Sequence, residues 1–210
     1  YGLGFKELWR IKPAKYRKGH ISHTLGWPLD NQTGGGGFIY HQGENEVAIG
    51  FVVHLNYKNP HLSLFDEFQR FKTHPLVRDL LEGGERLSYG ARAISEGGIQ
   101  SLPKLTFPGG ALIGCAAGMV NVPRIKGSHN AVKSGMLAAE AAFAALGEER
   151  ANDELVSYSE QLKKSWVWQD LDKVRNVKPA LSRYGTLAGM AYAGFDMWLG
   201  SFGVRLPWTL

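Results

Sequence analysis

Apolar and polar positions along the chain change period several times, and each change marks a candidate element. Residues 4–11 alternate well enough for a strand or a short helix, and Pro13 ends the run. His20 to Leu29 has strand character up to Pro28, and the glycine run 34–37 leads into the apolar stretch Phe38-Ile39-Tyr40-His41. Glu46 to Leu55 is the clearest β segment, and the turn residues Gln42 to Asn45 before it predict a hairpin. The period then becomes helical: Leu64, Phe65, Phe68 and Phe71 fall on one face, with Ser63 as the cap and Asp66 and Glu67 in the first turn. His74-Pro75 breaks this helix and a shorter one runs to Leu81. Arg86 to Ile94 is strand-like again, whereas 134–146, 152–164 and 165–174 have helical patterns. Strands separated by turn signals predict an antiparallel or mixed sheet.

Between the sheet and the last helices lies FPGGALIGCAAGMVNVPRIKGSHNAVKSG, residues 107–135. It has the order of an apolar strand, a glycine-rich turn ending at Gly118, a basic loop, and a long alanine-rich helix opened by Gly127. Small residues let backbone amides approach a phosphate, and a helix N-terminus attracts negative charge, so this order suits a dinucleotide. A structural strand-helix unit has the same pattern, and both readings stay open. G-x-G-x-x-G with an acidic residue some twenty positions later is absent.

Residues 184–206 are apolar and rich in small residues, with Asp196 near the middle and Arg183 and Arg205 as flanks. The glycines and Asp196 argue against a spanning helix. A piece lying in a membrane interface, anchored by Tyr184, Tyr192, Trp198 and Trp208, is the favoured reading over an aromatic core segment.

Composition narrows the chemistry. A formal charge of +5 over 210 residues, with basic residues scattered, does not predict nucleic-acid binding. One cysteine, Cys115, excludes an internal disulfide and any cysteine cluster built from these residues alone, and its apolar context predicts a small buried thiol. The seven histidines lack metal-ligand spacing, and His41, His54 and His74 read as ordinary hydrogen-bonded groups. No G-x-S-x-G elbow is present. The glycine run fits either a bulge or strained turn, or bare backbone against which a flat ligand lies with Trp27 and Phe38 as walls. A first residue other than Met and an abrupt end at Leu210 predict a piece of a longer protein.

Several long phrases carry a resemblance. They are GFKELW, HTLGWPL, the glycine run with FIYH, EFQRFKTHP, YGARAISEGGIQSLPKLTFPGG, IGCAAG, NVPRIKGSHNAVKSG and KKSWVWQDL. Together they closely resemble the electron transfer flavoprotein-ubiquinone oxidoreductase family. Related flavin-dependent dehydrogenases of the nitrogen-fixation type, geranylgeranyl reductases, or a non-catalytic quinone-binding membrane module are the alternatives. The resemblance implies an enzyme that takes electrons from reduced electron transfer flavoprotein and passes them to ubiquinone. Its cofactors are FAD and one four-iron four-sulfur (4Fe-4S) cluster, the cluster's ligands lying outside this chain, and it sits monotopically on a bacterial or mitochondrial inner membrane. The implied fold class is α+β with α/β character: a mixed-sheet ubiquinone-binding domain at 1–105, the returning part of a glutathione-reductase-like FAD domain at 106–147, and a helical segment at 148–210 with a membrane-surface region near 184–206. By the same resemblance Gly35 and Gly36 contact the quinone, with Gly37 in place of a serine and Gly34 in place of a tyrosine. Gly114, Cys115, Gly118, Gly127, Ser128, His129 and Asn130 fall on the flavin-contacting segment, and Ser95 stands where asparagine is expected. Without the upstream glycine fingerprint, these residues alone are not expected to hold FAD tightly or to turn over.

Overall fold

In the computed structural model, which describes residues 1–210, the first alternating stretch forms β1 (Gly2–Arg10). It is followed by β2 (Ile21–Leu25), β3 (Gly35–Gln42) and β4 (Glu46–His54). Helices α1 (Leu64–Thr73) and α2 (Pro75–Leu81) precede β5 (Glu85–Ile94). The five strands form one sheet in the order β2-β3-β4-β1-β5. Every pairing is antiparallel, so the expected mixed sheet is corrected to a purely antiparallel one. The reason lies in the connections: β3 and β4 are joined by a three-residue turn, Gly43 to Asn45, too short for a parallel crossover. Gly43 and Asn45 take positive φ there, a conformation these residue types tolerate best.

Alternation decides what the sheet buries. Phe5 and Trp9 of β1, Val47, Ile49, Phe51 and Val53 of β4, and Ile39 of β3 face α1 and α2, where Phe68, Phe71, Val77 and Leu81 complete the core. Phe51 and Phe71 stack with ring centroids 5.3 Å apart. The predicted helix cap forms, the Ser63 hydroxyl accepting from the Asp66 amide at 3.3 Å. β4 is buried from Val47 to Phe51 on both faces, which explains its continuous apolar run. One charge sits on the core face: Glu7, 2% exposed, accepts from Trp9 Nε1 at 2.8 Å and from Lys72 Nζ at 2.9 and 3.0 Å, with Arg86 at 3.3 Å.

The glycine run is not a turn. Gly35, Gly36 and Gly37 lie within β3, paired to β4 and, at Gly36 and Gly37, also to the edge strand β2. A Cβ on Gly35 would strike the Val52 backbone oxygen, and one on Gly36 the Thr24 backbone oxygen. A Cβ on Gly37 would meet Phe71 Cζ at 2.6 Å. Bare backbone is what lets the strands and α1 approach this closely.

Contacts divide the chain into two units, Tyr1–Ile94 with Tyr184–Leu187, and Ser95–Arg183 with Ala188–Leu210. In the second unit the expected apolar strand up to Gly114 is replaced by two two-residue strands, β6 (Thr106–Phe107) and β7 (Gly110–Ala111), followed by a 3-10 turn, Gly114–Ala117. Pro108-Gly109-Gly110 folds the segment back on itself before a longer strand can extend. Four helices follow: α3 (Ser128–Gly147), α4 (Val156–Lys164), α5 (Trp166–Lys173) and α6 (Val177–Ser201). α4 starts four residues later than its pattern suggests, because Glu149 and Asn152 adopt left-handed φ and the intervening residues form a loop. Met119, Leu137, Ala141, Tyr158, Leu162, Val167 and Leu171 make the core of this unit.

α6 is interrupted at Gly185, whose φ of 78° and ψ of 178° are not helical. Asn31 caps the restart: its carbonyl accepts from the Thr186 amide at 2.7 Å and its side chain from the Leu187 amide at 2.9 Å. Beyond this point the helix is inverted relative to an ordinary surface helix. Leu187, Phe195, Trp198 and Phe202 point outward at 69%, 53%, 58% and 69% exposure, whereas Asp196 is buried and accepts from Asn176 Nδ2 at 3.2 Å. No helix is long and apolar enough to cross a membrane.

Candidate functional site

Residues 1–94 enclose a cleft of about 640 Å³ between one end of the sheet and α1–α2. Thr24, Leu25 and Trp27 line one end, Ile39, Phe71 and Val77 the middle, and Arg17, His20, Ser22 and His41 the other end. The alternation of β3 puts Ile39 and His41 on the helix-facing side, and Ser22 and Thr24 of the paired β2 share it. The glycine run does not itself line the cleft; it adjoins the first end through its partners, Gly36 pairing with Leu25 and the Gly37 amide donating to Thr24 Oγ1 at 3.0 Å. Gly35 and Gly36 are half-buried. Of the two aromatic walls expected beside them, Trp27 lines the cleft; Phe38 points to the opposite face, its ring lying over Gly50.

The polar end is ordered. His41, 6% exposed, accepts at Nδ1 from the Arg17 backbone amide at 3.1 Å. Burial first, then the neighbouring His20 and Arg17, hold its pKa below the usual histidine range. His20 is exposed, packs edge-on against His41 with centroids 5.5 Å apart, and places Nε2 3.0 Å from Ser22 Oγ. The sequence reads His41 as an ordinary hydrogen-bonded core or surface group; nothing in its local pattern reveals the cleft, which is assembled from segments as far apart as Ala14 and Leu80.

The second candidate region is the start of α3. Gly127 occupies the cap position with no side-chain cap, leaving the first helical amides open to a ligand. The 3-10 turn packs against it: a Cβ on Gly127 would meet Cys115 Sγ at 3.2 Å, and the Gly114 amide donates to Ser134 Oγ at 3.0 Å. Gly114 and Gly118 both have positive φ, 54° and 86°, which bends the turn back toward the helix. Cys115 is exposed, correcting the expected buried thiol; a 3-10 turn keeps Gly114 and Ala117 inside and turns residues 115 and 116 outward. Ser128 is exposed, and Asn130 is fully buried, its Nδ2 donating to the Met119 carbonyl at 3.0 Å while Oδ1 has no partner. Ser95 lies 3.6 Å from a Cβ built on Gly118.

His129 is held from outside this turn. It stacks on Trp166 with centroids 5.8 Å apart and planes 8° from parallel, and its Nε2 is 3.6 Å from Asp170 Oδ2. Asp170 also accepts from Asn121 Nδ2 at 2.8 Å and pairs with Arg124 at 2.9 Å. Trp166 and Asp170 are one helical turn apart on α5, a spacing that could have marked them in the sequence beside the basic loop they support. The predicted residues 114, 115, 118 and 127–130 are thus gathered in one place within the second unit, and Gly35 and Gly36 lie in the first.

Comparison with known proteins agrees with the residue pattern. Residues 1–94 match the family described as ETF-QO, ubiquinone-binding. Over its full length the chain is 53% identical to the mitochondrial electron transfer flavoprotein-ubiquinone oxidoreductase of Bos taurus, 51% to that of Oryza sativa and 50% to that of Dictyostelium discoideum. It spans 35–36% of the length of these relatives. Among solved structures, a geranylgeranyl bacteriochlorophyll reductase-like protein of Thermoplasma acidophilum shares the fold with a TM-score of 0.60 at 18% identity, covering 96% of this chain and 54% of that one. A flavin-dependent brominase does so with a TM-score of 0.57 at 13% identity, covering 95% and 46%. Half of its residues are thus identical to those of relatives from an animal, a plant and an amoeba, and its first 94 residues match the ubiquinone-binding domain model, so the chain is similar throughout to about a third of electron transfer flavoprotein-ubiquinone oxidoreductase.

Proposed function

We propose that this chain is the quinone-binding part, and a share of the flavin-binding part, of an enzyme that passes electrons from reduced electron transfer flavoprotein to ubiquinone. The observation that carries this reading is the cleft within the very residues that match the ubiquinone-binding family: about 640 Å³, walled by Trp27, Ile39, Phe71 and Val77 and closed at one end by polar groups. That is the size and composition of a site for a flat, mostly apolar ligand. Gly36 is paired with Leu25 of the lining, and a ligand reaching past that end of the cleft would meet the main chain of Gly35 and Gly36 rather than side chains.

The start of α3 fits a flavin. Its cap position carries no side chain, the turn before it is built from Gly114, Cys115 and Gly118, and the side-chain Oδ1 of Asn130 is buried without a partner. Residues 114–118 and 127–130 would hold the ring edge and ribityl chain through main-chain amides, and the helix dipole would favour negative charge there. FAD, when bound, supplies the electron-accepting and electron-donating centre. With one cysteine in the chain, the ligands of a 4Fe-4S cluster would come from elsewhere in the protein. The outward apolar stripe of α6, from Leu187 to Phe202, supports a seat on the surface of the inner membrane.

The test is a purified complete protein assayed with reduced electron transfer flavoprotein and a short-chain ubiquinone. A flavin spectrum and quinone-dependent oxidation of the donor are expected. A flavoprotein that instead reduces isoprenoid double bonds and ignores quinone would support the geranylgeranyl reductase alternative, whose fold is shared at 18% identity.

A further inference from the structure

His129, the second residue of α3, is wedged between two side chains of α5. Its ring lies nearly parallel to that of Trp166, centroids 5.8 Å apart, and its buried Nε2 makes no hydrogen bond and lies 3.6 Å from Asp170 Oδ2. A carboxylate only accepts, so in the neutral ring the proton sits on Nε2 and the basic lone pair on Nδ1. The His129 side chain keeps 34% exposure, so protons from solvent reach the ring. Asp170 is fixed in turn: its side chain is 13% exposed, Arg124 lies 2.9 Å from Oδ1, and Asn121 Nδ2 donates to Oδ2 at 2.8 Å. Three positions of the segment leading into α3, Asn121, Arg124 and His129, therefore converge on one carboxylate. The other charged and titratable groups of the surrounding elements are Lys126 of the loop, Lys133 one turn further along α3, and Cys115 of the 3-10 turn.

We propose that His129, positioned by Trp166 and Asp170, takes up a proton when flavin held at the start of α3 is reduced and gives it back when the electrons leave. This deepens the proposed flavin site and rests on it. Two electrons from reduced electron transfer flavoprotein enter with two protons from water. One proton goes to the flavin ring, which is left with one negative charge; the other binds His129 Nδ1, and the imidazolium offsets that charge. Both protons are released on reoxidation, matching the two that ubiquinol formation consumes. The dipole of α3, roughly half a positive charge at its first turn, opposes a cation there. Asp170 outweighs it with a full negative charge, and protonation gives the orphaned Nε2–H a charge-assisted partner while Trp166 offers the cation an aromatic face. The open amides of the same turn draw the negative charge of the reduced flavin to this end of the helix. The coupling is reciprocal: the proton raises the flavin's electron affinity by as much as reduction raises the proton affinity of His129.

Counting protons in the complete flavoprotein tests this. The flavin is reduced electrochemically near neutral pH, in weakly buffered solution with a pH indicator. Wild type is expected to take up about two protons per flavin, and His129→Gln, which cannot be protonated but still offers Asp170 an N–H, about one fewer. Asp170→Asn keeps the shape, loses the charge, and should fall between the two. In both variants the flavin's midpoint potential should depend less steeply on pH, a readout that a packing role for Asp170 does not move. Uptake in His129→Gln equal to wild type overturns the proposal, and so does wild-type uptake in Asp170→Asn. Should a variant lose its flavin, wild type carrying ring-labelled histidine decides. Infrared difference spectra between oxidised and reduced protein should show imidazole converted to imidazolium, and histidine bands that stay constant refute it. A complete wild-type protein that holds no flavin refutes instead the reading of α3 as a flavin site.

Discussion

Placing a methyl group at Gly36 should test how the glycine-run end of the sheet is built. The Cβ of Gly36→Ala would be driven into the Thr24 backbone oxygen, and no side-chain rotation relieves a clash with main chain. β2 is the edge strand, five residues paired only to β3, so it is the element that must move. Overpacking of this kind costs about 1–3 kcal/mol. The alanine recovers about 0.4–1 kcal/mol by restricting the unfolded chain, leaving a net loss centred on about 1.3 kcal/mol and at most about 2.6 kcal/mol. Gly90→Ala on β5 is the matched control: nothing lies within 4 Å of its Cβ, so it should be neutral or slightly stabilising. Denaturant unfolding with unchanged slope reads both variants. Since Thr24 and Leu25 line the cleft, Gly36→Ala should also raise the KM for quinone while Gly90→Ala leaves it alone. Equal stability of the two variants would refute the close-approach reasoning. A raised KM with full stability would put the ligand directly on Gly36.

Three other outcomes are expected. Glu7→Ala strips a buried carboxylate from Lys72, whose side chain is 16% exposed, and should cost about 3–5 kcal/mol in unfolding measurements; Glu85→Ala, whose pair with Arg10 sits in solvent, should leave stability unchanged. Because the folded pKa of His41 lies below its unfolded value near 6.5, the unfolded chain binds the extra proton first, so stability should fall as pH drops below about 6.5 and level off below the folded pKa. In His41→Asn that part of the acid slope should vanish; an unchanged slope in a pH series of unfolding midpoints would assign it to other groups. Trp198→Asp, in the middle of the outward stripe of α6, should reduce co-flotation with liposomes, and equal flotation of both forms would remove α6 as the membrane contact.

The fold was legible where a residue's role follows from its near neighbours. Apolar patterning found β4 and β5 and left β1 open between a strand and a short helix, and Ser63 with Asp66 and His74-Pro75 fixed the start of α1 and the break before α2. The glycine run was misplaced because in sequence glycines signal turns, whereas here they sit in a strand whose neighbours crowd it from both sides and from α1. Gly114 and Cys115 were read as strand end and buried thiol, since a 3-10 turn has no hydrophobic period of its own. Candidate site residues on one continuous segment, 114–118 and 127–130, could be named together. The cleft could not: Arg17, His41 and Phe71 meet only because β2, β3 and α1 converge, and no local pattern encodes that meeting. Glu7 hides for the same reason, its partners Lys72 and Arg86 lying 65 and 79 positions away.

The inside-out polarity of α6 bears on how the molecule must be handled. Leu187, Phe195, Trp198 and Phe202 turn toward solvent a greasy ridge that water penalises, while the acid that would keep it dispersed is tucked beneath. In plain buffer such ridges find one another, so sedimentation without amphiphile should reveal clusters that grow with concentration and dissolve when mild detergent is added. Turnover numbers gathered at different detergent levels would then compare different states of aggregation, and only preparations matched for lipid or micelle content can be set side by side.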